Sequence, residues 1–384
     1  MNKTNISKSI DNELINIIKK YIDDMNIDIT DKNISKFIYE NIKNSVHDIN
    51  NIHHDYVLKD SMFNNSIKES TFFDKKIINN IYNNLHYVYN INFFYKNINF
   101  FVNIYFKEKI NVEEYIKYIK LIICICLKNK VMENKEEFIF DLYLTDEKKH
   151  FNYKFPNCIE SYNINSGYSR FGDNMYICIY RKEEWVKVFI HECLHAFNLD
   201  FHDESVNFKN LFSNMFNCSS DFNMNESFVE FWARIFNCGL FTYFLKNNIS
   251  FKDFNIIFKL NINIEMIYSV IQANKLLNKF ELNYNKIIDK NNKIIIYKEK
   301  TNAFCYYVIT SILLFNFEKV IKWFNMYNDK YFDCIKSERE VIIFCYFIKE
   351  IAISKGVIDL FDKIQKLNIK DTDFMKMTCL SIEL

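Results

Sequence analysis

The stretch KEEWVKVFIHECLHAFNL, residues 182–199, determines how the rest of this chain is interpreted. Its apolar residues recur at helical spacing, and it opens with two acids where a helix dipole favours negative charge. The pattern therefore predicts an amphipathic helix over 182–199. His191 and His195 stand one turn apart on that helix, so their imidazoles share a face and can bind one ion at ~2.0–2.1 Å.

Zinc is the metal that best suits this pair of histidines. It accepts neutral nitrogen ligands and imposes no d-electron geometry. Glu192 directly follows the first histidine and points beside the ion, not at it. From there it can take a proton from an attacking water and pass it to a leaving amine. The sequence therefore predicts a Zn²⁺ cofactor held by His191 and His195, with Glu192 as a catalytic residue.

The segment FIHECLHAF (189–197) resembles the active-site helix of the zincin metallopeptidases. The resemblance covers about residues 174–235. It implies a zincin fold, in which a twisted sheet lies above this helix and an edge strand lines the substrate cleft, and MYICIY (175–180) is the expected edge strand. It also implies hydrolysis of peptide bonds, with Glu192 as general base and then general acid.

A catalytic zinc site usually has three protein ligands, so a third is expected downstream. The metzincin pattern requires Gly at 198 and His at 201, but the chain has Asn198 and Phe201 there. His202 is out of register by one residue, which disfavours that subgroup. The gluzincin subgroup instead carries a distant glutamate on a later helix, often after an asparagine and with an acid four residues on. NESFVEFWARIF (225–236) resembles that arrangement.

By this resemblance Glu226 is the third ligand, with thirty residues between it and His195. Glu230 then accepts the free N–H of a ligating imidazole, and Arg234 neutralises Glu230. Other assignments stay open, because Glu226 can instead close a capping box with Asn223 at a helix start. The remaining candidate ligands are Glu230, His202, Asp203 and Glu204.

Peptide hydrolysis also needs a donor for the oxyanion that forms at the carbonyl. No histidine follows His202, so a tyrosine or an arginine must serve. Tyr306 and Tyr307 lie in AFCYYVITSILL (303–314), roughly where other gluzincins carry a late tyrosine, and both are candidate catalytic residues. Tyr243 is a weaker candidate, and packing in a core is the alternative role for all three.

The predicted fold class is α+β. A zincin-like mixed lobe, with a twisted sheet over the active-site helix, precedes a helical C-terminal lobe. The expected domains are a helical region at 1–80, the α+β lobe with the motif helix at 81–200, and a helical lobe carrying the third ligand at 201–384. The predicted elements are helices at 8–23, 31–45 and 112–129, a hairpin over Tyr87–Phe106 broken near Lys96-Asn97, strands at 138–145 and 175–180, and a short strand at Lys293–Tyr297.

Composition limits the function classes. Hydrophobic residues make up 49% and charged residues 25%, as in a globular protein. The net charge of +1 produces no strong positive potential that would attract nucleic acid or an anionic membrane. The longest apolar runs, Leu121–Leu127 and Ala303–Phe315, are shorter than the ~18–20 residues that cross a bilayer. Eleven scattered cysteines and a polar N-terminus predict a cytoplasmic protein without nucleic-acid or membrane partners.

With 4 Gly and 1 Pro, and Lys far above Arg, the composition resembles that of proteins from large DNA viruses and AT-rich protists. For a viral protein the expected location is the host cytoplasm or the virion. The predicted function is a zinc metallopeptidase acting on a peptide or protein. Two alternatives stay open, another zinc-dependent amide hydrolase and a non-catalytic zincin-derived protein that kept its metal. The sequence leaves the oligomeric state and substrate specificity open.

Overall fold

A computed structural model describes residues 31–63, 73–130, 137–150, 158–170, 174–201, 206–289, 296–327, 331, 337–367, 375–382 and 384. The strands are β1 (His54–Asp60), β2 (Tyr87–Tyr95), β3 (Ile98–Phe106), β4 (Glu137–Tyr143), β5 (Gly167–Arg170), β6 (Met175–Ile179), β7 (Cys218–Ser219) and β8 (Tyr297–Lys298). The helices are α1 (Lys32–Ile49), α2 (Lys75–Asn84), α3 (Val112–Asn129), α4 (Ser161–Ile164), α5 (Trp185–Ala196), α6 (Phe208–Phe212), α7 (Met224–Phe244), α8 (Phe251–Asn278), α9 (Tyr284–Ile288), α10 (Thr310–Phe315), α11 (Phe317–Tyr327), α12 (Glu338–Ala352) and α13 (Lys355–Gln365), with a π-helical segment at Phe304–Ile309 before α10.

Six strands form one mixed sheet in the order β1-β2-β3-β4-β6-β5. The neighbours β3, β4 and β6 run parallel, whereas β1 with β2, β2 with β3, and β5 with β6 are antiparallel. The predicted hairpin is confirmed as β2 and β3. Its turn lies at Lys96 and Asn97, whose φ angles of 49° and 62° suit the tight two-residue connection of a hairpin.

Two strand predictions were wrong. The strand at MYICIY is β6, and it lies inside the sheet, because the short strand β5 pairs with it and forms the edge. The sequence of β5, Gly-Tyr-Ser-Arg, is too short to show an alternating pattern. The N-terminal region, predicted as helices and loops, contains β1. All but the first residue of β1 are exposed, so the alternation of a half-buried strand is missing there.

Helix α5 packs on β5 and β6, and Lys120 of α3 lies over the Phe93 ring of β2. Aromatic rings hold α5 in place. Phe138 on β4 stacks on Phe197 at a centroid distance of 4.7 Å, and Phe140 meets Phe189 edge-on at 5.3 Å. The other face carries a smaller cluster in which α2 covers Tyr143 and Cys178. The motif helix therefore lies beneath the sheet next to β5 and β6.

The described residues of the C-terminal half are mainly helical, as predicted, and the strands found among them are β7 and β8, which form a small parallel pair. Of the predicted strand at Lys293–Tyr297, residues 293–295 lie outside the described residues. By length and composition alone, α8 is apolar enough to cross a membrane, with a mean hydropathy of 1.2 over 18 residues. The pair Phe304–Phe315 and Phe317–Met326 also passes that test, but it bends by 85°. In this fold 67% of the α8 window is buried, and the helix packs against α1, α7, α10 and α13.

The fold is therefore of the α+β class, as predicted, with sheet and helices sharing one main core. That core contains Ile38 from α1, Phe140 from the sheet and Leu380 near the C-terminus. The boundaries between the three expected domains stay predictions. The predicted helix at 8–23 and the candidate ligands His202, Asp203 and Glu204 lie outside the described residues.

Candidate metal centre

His191 and His195 lie on α5 and are nearly buried, with 6% and 7% of their surfaces exposed. The helix begins at Trp185, three residues later than predicted. Glu184 does not join it, because its backbone is left-handed with φ 60°. One helical turn separates the two imidazoles, and their Nε2 atoms stand 3.3 Å apart. The Nε2 atoms of the two rings therefore point at the same place, where both can bind one metal ion.

The other ring nitrogen of each histidine faces a carboxylate. His191 Nδ1 lies 3.1 Å from Glu230 Oε2, and His195 Nδ1 lies 2.6 Å from Asp200 Oδ2. An ionised carboxylate only accepts hydrogen bonds, so each Nδ1 carries the proton and donates it. Each Nε2 is then left with a lone pair, which is the form that binds a metal.

Glu226 reaches the two histidines from the first turn of α7. The N-cap of α7 is Asn223, whose side chain accepts from the Asn225 amide at 3.2 Å. The Glu226 carboxylate does not complete a capping box. Its Oε2 atom instead lies 3.3 Å from His191 Nε2 and 3.4 Å from His195 Nε2.

The three atoms form a nearly equilateral triangle with edges of 3.3, 3.3 and 3.4 Å. Ligand atoms ~2.0–2.1 Å from a tetrahedral zinc ion stand ~3.3–3.4 Å apart, so the triangle has the size that zinc requires. His191 Nε2, His195 Nε2 and Glu226 Oε2 are all acceptors when the imidazoles are neutral. Three converging acceptors repel one another unless a cation lies between them. The donor set and its dimensions therefore fit zinc.

The charges of the cluster favour an ionised Glu226. Burial alone would raise the pKa of this carboxyl, but the two histidines outweigh burial and hold the pKa far below its ordinary value. Burial likewise lowers the pKa of each imidazole. The carboxylates around them outweigh that effect, so the pKa of His191 is raised and that of His195 is raised strongly. Protons and a metal ion therefore compete for this cluster.

Glu192 lies between the histidines and the edge strand β5. A Cβ atom added to Gly167 would stand 3.2 Å from Glu192 Oε1, so the glycine lets β5 approach the carboxylate closely. Ser169, also on β5, acts against burial and lowers the pKa of Glu192. Burial raises the pKa of Glu192 above its ordinary value, against the opposing effect of His191 and His195. A carboxylate with a raised pKa is a better proton acceptor than an exposed one.

Of the candidate tyrosines, only Tyr306 meets the cluster. Its hydroxyl donates to Glu226 Oε2 at 3.0 Å, and its ring centroid lies 5.7 Å from that of His191. Burial, reinforced by Glu226, raises the pKa of Tyr306 well above its ordinary value, so it remains a donor. Tyr307 points elsewhere, and its hydroxyl donates to the Met375 carbonyl. Tyr243 packs against the Tyr39 ring at 5.8 Å.

Behind His191, Glu230 is enclosed by cations. Lys187 Nζ lies 3.0 Å from both of its oxygens, and Arg234 Nε donates to Oε1 at 2.9 Å. Burial alone would raise the pKa of Glu230, but Lys187 and Arg234 hold it well below its ordinary value. Arg234 also donates to the Tyr306 carbonyl at 3.1 Å and so links Glu230 to the segment that carries the tyrosine.

A second buried ion pair supports the start of α5. Lys149 Nζ donates to Glu184 Oε2 at 2.9 Å, and the Thr378 amide donates to Glu184 Oε1 at 2.6 Å. These bonds hold Glu184 in its left-handed conformation. Residues 375–382 run beneath the motif helix, where Met377 Sδ lies 3.3 Å from Lys187 Nζ.

A pocket adjoins the cluster. The residues lining it include His191, Glu192, Gly167, Val188, Tyr306 and Met377. It lies between the motif helix and the residues that lead into β5. A ligand in this pocket would contact the predicted zinc ligand His191, the predicted base Glu192 and Tyr306 together.

Two residues around the cluster escaped the sequence prediction, although each has a signal. Lys187 precedes His191 by four residues, as His191 precedes His195, so all three share one face of α5. Asp200 lies five residues beyond His195, whereas the acids predicted as candidate ligands begin at Asp203. Asn225 donates to Asp200 Oδ2 at 3.0 Å, which ties it to the residue before Glu226.

Comparison with models of known protein families, with curated proteins and with solved structures found no match for this chain. The functional assignment accordingly rests on the geometry described above.

Proposed function

We propose that this protein is a zinc-dependent metallopeptidase of the gluzincin type, with His191, His195 and Glu226 as its metal ligands. The observation that carries the proposal is the triangle of three acceptor atoms with edges of 3.3 to 3.4 Å, beside a buried glutamate. The support for a zincin-like fold is that the motif helix lies beneath a mixed sheet whose edge strand β5 is antiparallel to its neighbour.

Zinc bound to these ligands supplies a Lewis acid that polarises a carbonyl and lowers the pKa of a nearby water. Glu192 accepts a proton as the water oxygen forms its bond to the carbonyl carbon. It then delivers that proton to the nitrogen as the C–N bond breaks, so the products are a carboxylic acid and an amine. Tyr306 donates its hydroxyl hydrogen to the oxygen that becomes negative in between. Glu230 and Asp200 fix the imidazole tautomers.

The substrate in this proposal is an extended peptide. Among the described strands, β5 pairs only with β6, so its other edge offers backbone donors and acceptors next to Glu192. An extended peptide can add to such an edge by main-chain hydrogen bonds, which are independent of side-chain sequence. This mode of binding places a peptide bond over the pocket that Glu192 and Tyr306 line.

The decisive experiment measures zinc content and peptide cleavage together. Wild-type protein should contain one zinc per chain and cleave members of a peptide library. Glu192→Gln should keep the zinc and lose at least about a hundredfold in cleavage rate, because a general base contributes ~10²–10⁴-fold. Glu108→Gln, an exposed site between β3 and α3, is the matched control and should behave as wild type.

Other outcomes would overturn parts of the proposal. Wild-type protein that takes up no zinc would remove the metal centre. Cleavage that survives in Glu192→Gln would remove the assigned base. Bound zinc without cleavage of any peptide would replace the peptidase with one of the two alternatives, another amide hydrolase or a non-catalytic metal protein.

A further inference from the structure

The opposite edge of the sheet is formed by β1, and it is unusual for an exposed edge. Among the described residues β1 pairs on one side only, with β2. Its centre is apolar and exposed, with 43% of the surface of Tyr56, 55% of Val57 and 51% of Leu58 accessible. Exposed apolar edge strands pair readily with further strands, and proteins usually shorten, charge or cover them. An edge of this kind is suited to pairing with another strand.

The sequence of β1 is complementary to itself. Around Val57 the chain reads Asp55-Tyr56-Val57-Leu58-Lys59, with an apolar residue one step away on each side and opposite charges two steps away. An antiparallel strand reverses direction, so a second copy centred on Val57 faces Tyr56 with Leu58 and Asp55 with Lys59. Both pairings occur twice because of the two-fold symmetry.

We propose that β1 is a dimerisation edge, on which two copies of this chain pair antiparallel with Val57 at the two-fold axis. The two six-stranded sheets then join into one continuous sheet. The contact is isologous, because the same patch serves both copies. The proposal is independent of the metal centre, since β1 and β5 lie at opposite edges of the sheet.

The charges select this register over its neighbours. A shift that centres the pairing between Val57 and Leu58 places Asp55 opposite Asp60, and like charges directly opposite destabilise a strand pair. A shift to the other side places Lys59 opposite His54, so Lys59 loses its pairing with the acid Asp55. Centring on Tyr56 places Asp55 opposite the apolar Val57, and centring on Leu58 places Lys59 opposite it. Only the register centred on Val57 matches apolar with apolar and acid with base.

The faces of the strand agree with this register. Tyr56 and Leu58 pair with Ile91 and Tyr89 of β2, which are buried on the face that carries the helices. The Tyr56 ring meets the Tyr89 ring edge-on at 5.5 Å. In the dimer the Tyr56 and Leu58 side chains of both copies would therefore extend that apolar face across the axis.

Contacts with α3 also anchor the start of the edge within the single chain. At the start of β1, His54 Nδ1 lies 2.8 Å from Lys120 Nζ and His54 Nε2 lies 3.3 Å from Glu113. The buried Lys120 also donates to the Ile52 carbonyl at 2.6 Å. A preorganised strand loses little conformational freedom on pairing, which favours association.

Sedimentation of the full chain over a range of concentrations tests the proposal. A seven-residue strand gives a small interface compared with the roughly 1,600 Å² of a standard complex, so we expect a dissociation constant on the order of 10 µM. Asp55→Lys or Lys59→Asp alone should raise it about tenfold, because each places two like-charge pairs across the axis. The double variant Asp55→Lys with Lys59→Asp should restore it to within about threefold.

Cysteine cross-linking tests the register. In Val57→Cys the two thiols should lie ~4.5–5.5 Å apart at Cβ and form an intermolecular disulfide on oxidation with copper phenanthroline and air. In Asp55→Cys they should be about 14 Å apart along the strands and remain uncoupled. A chain that stays monomeric at all concentrations would overturn the proposal. So would a double variant no better than the single ones, or equal cross-linking at 55 and 57.

Discussion

At the scale of single residues, two adjacent tyrosines have different surroundings. The hydroxyl of Tyr306 donates to Glu226 at 3.0 Å, whereas that of Tyr307 donates to the Met375 carbonyl. Both lie in the π-helical segment Phe304–Ile309, and π-turns are frequent at functional sites. Since adjacent residues of a helix point in different directions, only one of them can serve the proposed chemistry.

The first prediction separates these two tyrosines. Tyr306→Phe should lower kcat about a hundredfold with zinc retained, because it removes one donor to the oxyanion. Tyr307→Phe is the matched control and should keep kcat within about threefold. It should cost about 1 kcal/mol of stability, since the buried Met375 carbonyl loses its donor. Steady-state kinetics and thermal melts of both variants would measure the difference, and equal kcat values would contradict the role of Tyr306.

The second prediction concerns Asp200, which accepts from His195 at 2.6 Å. Asp200→Asn should weaken zinc binding by about 10- to 100-fold, because the charge that fixes the tautomer of His195 is lost. Competition with a chromophoric chelator would give the affinity. Asp221→Asn, whose side chain is 88% exposed, is the control. Unchanged affinity in Asp200→Asn would show that the aspartate does not support the histidine.

At the scale of elements, the site depends on how closely β5 approaches α5. A Cβ atom at Gly167 would stand 2.9 Å from both the Cys178 carbonyl oxygen and Val188 Cγ1. Contacts that short are not tolerated, so any side chain at position 167 must move the strand away from the helix. The distance between Ser169 on β5 and Glu192 on α5 would then increase.

The third prediction follows from that contact. Gly167→Ala should destabilise the protein by roughly 1–3 kcal/mol, the typical cost of overpacking, and should lower kcat as β5 moves from Glu192. Gly356→Ala is the control, because a Cβ there meets Phe315 at 3.4 Å, an ordinary contact, within helix α13. It should be neutral or stabilising. A Gly167→Ala protein with wild-type melting temperature and kcat would contradict this account of the edge strand.

The element scale also explains what the sequence could and could not predict. Helix α5 and the hairpin follow from apolar periodicity and a two-residue turn, which are local properties. The edge role of β5 depends on which strand pairs outside β6, and no local pattern carries that information. The start of α5 was placed too early because Glu184 is fixed by Lys149 and Thr378, which are remote in the sequence.

The same distinction holds inside the site. Two histidines at a spacing of four were predictable, because one helical turn joins them. Selecting Glu226 over the other acids needed either a resemblance or the fold, since thirty residues intervene. Selecting Tyr306 over Tyr307 needed the directions of the side chains in the π-helical segment. The pattern of apolar residues in the sequence does not indicate those directions.

At the scale of the whole molecule, distant parts of the chain meet at the cluster. Helices α5 and α7 supply the predicted ligands, and the π-helical segment supplies Tyr306. Residues 375–382 lie beneath them, where the Cys379 amide donates to Glu265 at 3.1 Å and Met377 contacts Lys187. Because the ligands belong to two packed helices of the main core, zinc binding should stabilise the fold as a whole.

The fourth prediction concerns how that stabilisation depends on pH. In the metal-free protein, nearby carboxylates outweigh burial and raise the pKa of His191 and His195 above the usual ~6.5. Their protonation therefore stabilises the metal-free fold below about pH 6.5, and this contribution is lost as pH rises through the raised pKa values. Zinc needs neutral imidazoles, so its affinity rises over the same range.

Both effects increase the difference in stability between the zinc-loaded and the metal-free protein as the pH rises. The rise in melting temperature on adding zinc should be small at about pH 5.5 and increase as the pH rises through the raised pKa values of His191 and His195. A thousandfold excess of zinc over its dissociation constant should contribute about 4 kcal/mol. Thermal melts with zinc and with EDTA across this range would measure it. Glu226→Ala should show a much smaller rise at every pH, because only two ligands remain. A rise independent of pH, or equal in Glu226→Ala, would mean that zinc stabilises the protein from another site.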